Sequence, residues 1–293
     1  MRRAVLVVSL GLSAVALAAA GPVGPAPVAP PTSGEDVAAI QKIAGQSQCA
    51  TRQWKARGRA PRTYVEGVAL VYARAACHPE RAEVQAVSAP ANMSATNDDG
   101  LAAYQAEFKA LGLRNDVAGP ETLRHTYALL IGLGMMESSG QYCEGRDVSQ
   151  CFTTAESAEA GLFQTSYGAR RFAKPVLDDL FVRYSADQSA CRLTEFKGAI
   201  ACKIRTSHNP SCPTATSDVA GTGPGADWQG LSKTCPAFAT EYAAVLLRKH
   251  GGQKKGEFGP IRKKQVELRP ECDGMLREVE TFVKQHPQVC QAL

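Results

Sequence analysis

Apolar positions recur at three- and four-residue spacing along most of the chain, which is the period of an amphipathic helix. Asp36–Gln46 shows it, and so does Tyr64–Ala76, where Val65, Val68, Ala69 and Tyr72 fall on one stripe. Gly100–Leu111 follows Asp98 and Asp99, residues that suit a helix start. A helix is predicted from Pro120 to about Glu137, with proline accommodated in its first turn. Arg170–Tyr184, Ala237–His250 and Cys272–Gln285 complete the set. Strict alternation, the mark of a half-buried strand, is rare and short. Between Ser185 and Trp228 the chain is rich in Ser, Thr, Gly, Pro and Cys and reads as a loop pinned by bridges. The pattern predicts a mainly α protein with long disulfide-braced loops.

The N-terminal end departs from this pattern. Arg2 and Arg3 precede the apolar run Ala4–Leu17, and Ala18-Ala19-Ala20 offers small residues for cleavage, so residues 1–20 read as a signal peptide. The run is short for a membrane span, and stable membrane insertion after cleavage is not expected. Residues 21–34, GPVGPAPVAPPTSG, read as a Pro/Gly-rich linker. Residues 35–293 are then one domain, its first helices an N-terminal extension. The chain is 44% hydrophobic and 21% charged, enough apolar material for a core and too little charge for a disordered chain. Net charge is +5, too mild on its own for a nucleic-acid binder.

Ten cysteines, an even number in a chain with an export signal, predict disulfides and an exported protein, periplasmic or secreted. No C-x-x-C pair and no interleaved histidines argue for zinc, so no metal and no cofactor is expected. Pairing of sequential neighbours, each closing a short local loop, is the working expectation. It includes a Cys143–Cys151 bridge bracing the chain after the Pro120 helix.

That helix carries the candidate chemistry. Stepping by four and three gives Leu123, Tyr127, Leu130, Gly134 and Glu137, an apolar stripe that ends in a carboxylate. Gly132 and Gly134 thin the helix just before it, and Gly140 is placed to end it in a left-handed conformation. An apolar surround and the negative pole at a helix C-terminus both favour the protonated form of Glu137. A carboxylic acid held protonated near neutral pH can donate to a leaving oxygen, as glycosidic cleavage requires. His125 lies too far back along the same helix to touch it and reads as structural.

Further along stands Gly161-Leu162-Phe163-Gln164. Glu-Ser-Ser-Gly followed about two dozen residues later by Gly-Leu-Phe-Gln resembles the lysozyme-like superfamily. It is closest to soluble lytic transglycosylases and goose-type lysozymes, over about Thr122–Tyr167. The resemblance implies a lysozyme-like helical domain and a peptidoglycan-cleaving enzyme acting on the β-1,4 MurNAc–GlcNAc bond. Glu137 would be the general acid, Ser138 would orient it, and Gly161, Leu162, Phe163 and Gln164 would line the sugar cleft. Gly161 permits close backbone approach. Phe163 offers an apolar platform or simply packs in the core, and Gln164 can both donate and accept towards an acetamido group. Tyr167 reaches the cleft or packs.

Two features depart from the family. A later Ala-Tyr-Asn-Ala-Gly-like motif is missing; its nearest counterparts are Trp228-Gln229 and Glu241-Tyr242-Ala243, with Tyr242 a candidate cleft hydroxyl. Goose-type enzymes have an aspartate two residues after the glutamine, where this chain has Ser166. A muramidase needs a second carboxylate about 6.5–9.5 Å from the acid to activate water; Asp147 and Glu144 are the candidates. Without one, Glu137 would work alone and release a 1,6-anhydro end, as the lytic branch implies. A third reading, from another class, is a non-catalytic peptidoglycan-binding or structural wall protein. The basic run Lys254-Lys255 with Arg262-Lys263-Lys264 is a solvated surface or a grip on anionic wall polymers.

Overall fold

Three helices buried on nearly every side organise the molecule, and the rest pack around them. The computed structural model describes residues 33–145, 154–202, 219–254 and 256–293. In chain order the helices are α1 (Ser33–Gln46), α2 (Gln48–Thr51), α3 (Arg62–Cys77), α4 (Ala82–Ser88), α5 (Gly100–Ala103), α6 (Gln105–Ala110) and α7 (Pro120–Ser138). Then come α8 (Val176–Ala186), α9 (Leu193–Lys197), α10 (Pro224–Thr234), α11 (Pro236–His250), α12 (Gly259–Arg262) and α13 (Pro270–Gln285). Two short antiparallel hairpins accompany them: β1 (Gln53–Trp54) with β2 (Gly58–Arg59), and β3 (Glu159–Ala160) with β4 (Thr165–Ser166). The described residues form one compact unit. The signal peptide expected over 1–20, and all but the end of the linker, lie outside the described residues; the linker's last two residues already belong to α1.

The centre is α3, α7 and α11, each touching the other two. Every residue from Thr122 to Met135 is buried, as is every residue from Pro236 to Arg248. A helix buried on all sides belongs in the middle of a protein, with charged members such as Arg124 paired inside it. The stripe read from the sequence of α7 therefore understates its burial. α13 lies across α3 and α7, and buried ion pairs join it to α7. Arg124 Nε sits 2.7 Å from Asp273 Oδ1, and Arg124 Nη1 sits 3.0 Å from Glu280 Oε2. His125 is fully buried between them, its Nδ1 2.7 Å from Asn115 Oδ1.

The helix periods were read correctly where local spacing decides, and the exceptions have local causes. The stretch 100–111 divides at Tyr104, whose backbone leaves helical geometry and whose hydroxyl accepts from the Val266 N–H at 3.0 Å. Asp99 does start it, accepting from the Leu101 N–H at 2.9 Å. The stretch 170–184 divides at Pro175, which forces Lys174 into an extended conformation and separates a 3-10 turn, Tyr167–Ala173, from α8. The loop expected over 185–228 is corrected too: α9 and the start of α10 lie within it, stabilised by the buried Phe196 and Trp228.

Sequential cysteine pairing is overturned. The described bridges are Cys49–Cys272, Cys77–Cys290, Cys143–Cys202 and Cys191–Cys235. The first two span 223 and 213 residues and fasten the N-terminal helices to the C-terminal ones. Cys143 thus does not pair with Cys151. Among the described residues no helix is long and apolar enough to cross a membrane.

Candidate active site

The helix α7 starts at the surface with the exposed Pro120 and Glu121, runs through the core and surfaces again at its last residues. Met136, Glu137 and Ser139 are half-buried, whereas the preceding turn is sealed. Glu137 therefore stands where a buried helix meets solvent. The helix stops there because Ser139 turns left-handed (φ 55°), a step that costs a non-glycine residue roughly 1–2 kcal/mol. Gly140 follows at φ 75°, so the reversal begins one residue earlier than the sequence implies. The reversal lets the N–H groups of Ser139 and Gly140 donate to the carbonyls of Met135 and Gly134, at 3.1 Å each.

Three side chains hold this helix end. Tyr64, from α3, donates its hydroxyl to the Ile131 carbonyl at 2.7 Å, and burial pushes its pKa well above the ordinary tyrosine range. Ser138 is buried and donates to the Gly134 carbonyl at 3.1 Å, so its hydroxyl serves the helix end that carries Glu137. Arg57, from the β1–β2 hairpin, donates through Nη2 to the Met136 carbonyl at 2.7 Å. It satisfies a carbonyl orphaned at the helix C-terminus and places a cation against the helix's negative pole. No local pattern points to Arg57, because it reaches α7 from 79 residues away.

The second motif folds as the connection of the β3–β4 hairpin. Glu159 pairs with Ser166 and Ala160 with Thr165, leaving Gly161–Gln164 as the four-residue turn. Gly161 adopts φ 77° and lies so close to α10 that a Cβ there would meet the Ser232 carbonyl oxygen at 2.7 Å. Only glycine suits both demands. The turn is tied to the chain leaving α7: the Gly161 N–H donates to the Glu144 carbonyl at 2.8 Å, and Gln164 Nε2 donates to the Gly145 and Gly161 carbonyls at 3.1 and 3.0 Å. Phe163 closes the arrangement. Its ring packs on Gly134, where a Cβ would stand 2.9 Å from the ring edge. The two motifs are thereby brought together one helical turn before Glu137.

Several expected contacts are corrected. Leu162 and Phe163 bury the hairpin turn in the core: Phe163 takes the packing alternative, and Leu162 lines no open cleft. Of the two occupants that the thinning at Gly132 and Gly134 allows, a ligand or another backbone, the second is present: the Glu267 backbone lies at Gly132, and the Tyr64 and Phe163 rings lie at Gly134. Tyr242 is sealed inside, and its hydroxyl donates to the Ser166 carbonyl at 2.9 Å; it props the hairpin and offers no cleft hydroxyl. Gln164 has both N–H donors engaged with backbone, which leaves its carbonyl oxygen as the atom suited to a ligand N–H. Tyr167 is half-buried beneath the Arg170 guanidinium, 3.7 Å from the ring centre. Trp228 and Gln229 are wholly buried, the amide of Gln229 tying Ala220 and Gly225 to Ala155.

Asp147 lies outside the described residues. Glu144 is half-buried beside the hairpin turn. A carboxylate that spacing could not reveal is Glu257, whose Oε1 accepts from Ser166 Oγ at 3.2 Å at the foot of β4. Burial raises its pKa above the ordinary glutamate value, against the opposing pull of the Ser166 hydrogen bond, Arg171 and Arg262. Comparison of the chain with family models, curated proteins and solved structures found no match. The site's chemistry accordingly rests on these residues.

The described members of the basic run near residue 260, Lys254, Arg262, Lys263 and Lys264, are exposed, and two of them are tied to the protein's own groups. Arg262 folds back to the Gly256 and Glu257 carbonyls. Lys264 pairs with Glu107 at 3.0 Å and lies 4.3 Å over the Tyr104 ring. Lys255 lies outside the described residues.

Proposed function

We propose that the chain is an exported glycan-cleaving enzyme that acts on peptidoglycan, with Glu137 as its general acid and base. The observation that carries this reading is the meeting of the two motif segments: the Phe163 ring of the hairpin turn rests on Gly134, one turn before Glu137. A carboxyl at the mouth of a buried helix, beside a turn whose Gln164 keeps an acceptor oxygen, suits a sugar with an acetamido N–H. The disulfides fit an oxidising compartment.

In the lytic sequence, the Glu137 carboxylic acid gives its proton to the glycosidic oxygen as the C1–O bond breaks. The resulting carboxylate takes the proton of the same sugar's 6-hydroxyl. That oxygen then bonds to C1, leaving a 1,6-anhydro end and the acid restored. No water enters and no second carboxylate is needed. Zymography on murein tests the reading: wild type clears, and Glu137→Gln clears at least about a hundredfold less, the loss typical of removing a positioned proton donor. A Glu137→Gln band that clears equally removes Glu137 from the chemistry.

A further inference from the structure

The β1–β2 hairpin carries more positive charge than its packing uses, although Glu267 Oε2 accepts from the Lys55 backbone N–H at 2.9 Å. Between Thr51 and Arg62 the chain has five cations, Arg52, Lys55, Arg57, Arg59 and Arg62, and no acid. Arg52 pairs with Glu271, and Arg62 with Glu66 at 2.6 Å. Among the described residues no carboxylate pairs with the side chains of Lys55, Arg57 or Arg59, and all three are exposed. Solvated charge runs ordinarily sit on mobile or isolated surfaces. This one is fixed at both ends. Beneath it, Trp54 is buried with the Arg269 guanidinium 4.0 Å from its ring centre. At its tip, Arg57 is bonded to the carbonyl of Met136, the residue before Glu137. Like charges held together cost stability unless something anionic offsets them.

We propose that this hairpin is a cationic finger at the rim of the Glu137 site, and that it grips the carboxylates of an anionic glycan strand through Lys55 and Arg59. The inference rests on the glycan-cleaving reading and adds to it the means of recognition: strands bearing lactyl and peptide carboxylates are held, and neutral strands of the same backbone are not. Arg57 is committed to α7 and serves position rather than grip.

The test separates grip from turnover. In a Glu137→Gln background, which holds substrate without cutting, Lys55→Ser/Arg59→Ser is compared with its parent. The probes are purified sacculi and a soluble neutral chitin oligosaccharide, at about 0.03 M and about 0.3 M salt. The double variant should bind sacculi about five- to tenfold more weakly at low salt, with the difference vanishing at high salt. Chitin affinity and melting temperature should stay the same, and Lys55→Arg/Arg59→Lys should restore sacculus binding. Equal sacculus binding by parent and variant, or equal losses on both polymers, overturns the finger. Wild-type protein that leaves murein intact while the finger variants still lose sacculus affinity overturns the catalytic reading and leaves the grip standing.

Discussion

Glu137 owes its candidacy to where it emerges, and one glycine shows how closely its surroundings are fitted. At Gly134 a Cβ would collide with the Tyr64 hydroxyl and come within 2.9 Å of the Phe163 ring. Overpacking of this kind costs roughly 1–3 kcal/mol. Gly134→Ala should lower the melting temperature and depress murein clearance further than stability alone explains, because it pushes the hairpin turn from the helix. Gly230, mid-helix in α10 with open space where a Cβ would stand, is the control. Gly230→Ala should stabilise by about 0.5–1 kcal/mol and leave clearance unchanged. Paired thermal melts and clearance rates check both. At this scale the sequence announced Glu137 and Gly161, since a carboxylate at the end of an apolar period and a glycine in a turn are local statements. It did not announce that Phe163, Leu162 and Tyr242 face the core. An aromatic side chain suits a groove or an interior equally, and only tertiary packing chooses.

At the scale of elements, α7 is held by a polar seam as well as by apolar packing. His125 sits in that seam, with its Nε2 3.5 Å from Asp273 Oδ1. Burial lowers its pKa below the ordinary 6.5, reinforced by Arg124, while Asp273 and Glu121 pull the other way. The unfolded chain therefore takes up this proton at a higher pH than the folded one does. Stability rises with pH between the folded value and 6.5, is complete above it, and is lost as the solution is acidified through that window. His125→Gln should flatten this part of the stability curve relative to wild type, as unfolding across about pH 5 to 7.5 would record. A variant curve parallel to wild type would assign the acid sensitivity elsewhere. The long helices were legible because their apolar period is written in a few adjacent residues. The breaks at Tyr104 and Pro175 were less so: one answers to a distant backbone N–H, and the other to a proline inside an otherwise helical stretch.

For the whole molecule, the bridges set the frame. Cys49–Cys272 closes a separation of 223 residues, and Cys143–Cys202 one of 59. Loss of either should cost about 2–5 kcal/mol, the longer closure more. Their functional consequences should differ. Cys143 lies between the end of α7 and the Glu144 carbonyl that receives the Gly161 N–H. Cys143→Ser/Cys202→Ser should therefore lose more clearance per degree of melting temperature than Cys49→Ser/Cys272→Ser. Equal ratios would detach the bridge from the site. Cysteine number was readable from the chain, but partners were not. Sequential pairing assumes that short loops close first, whereas here the first described helices, α1 and α2, pack on α13 and fix the long closures. The cationic finger escaped for a related reason: its proximity to Glu137 exists only after α3 and α7 have packed.

The proposed cut needs one proton donor, Glu137, and no water. Mass spectrometry of murein digested by wild type and by Glu137→Gln tests both points at once. Wild type should release 1,6-anhydromuropeptides, and the variant none above background. Reducing-end products from wild type would contradict the waterless route, and anhydro products undiminished in the variant would contradict the assignment of Glu137.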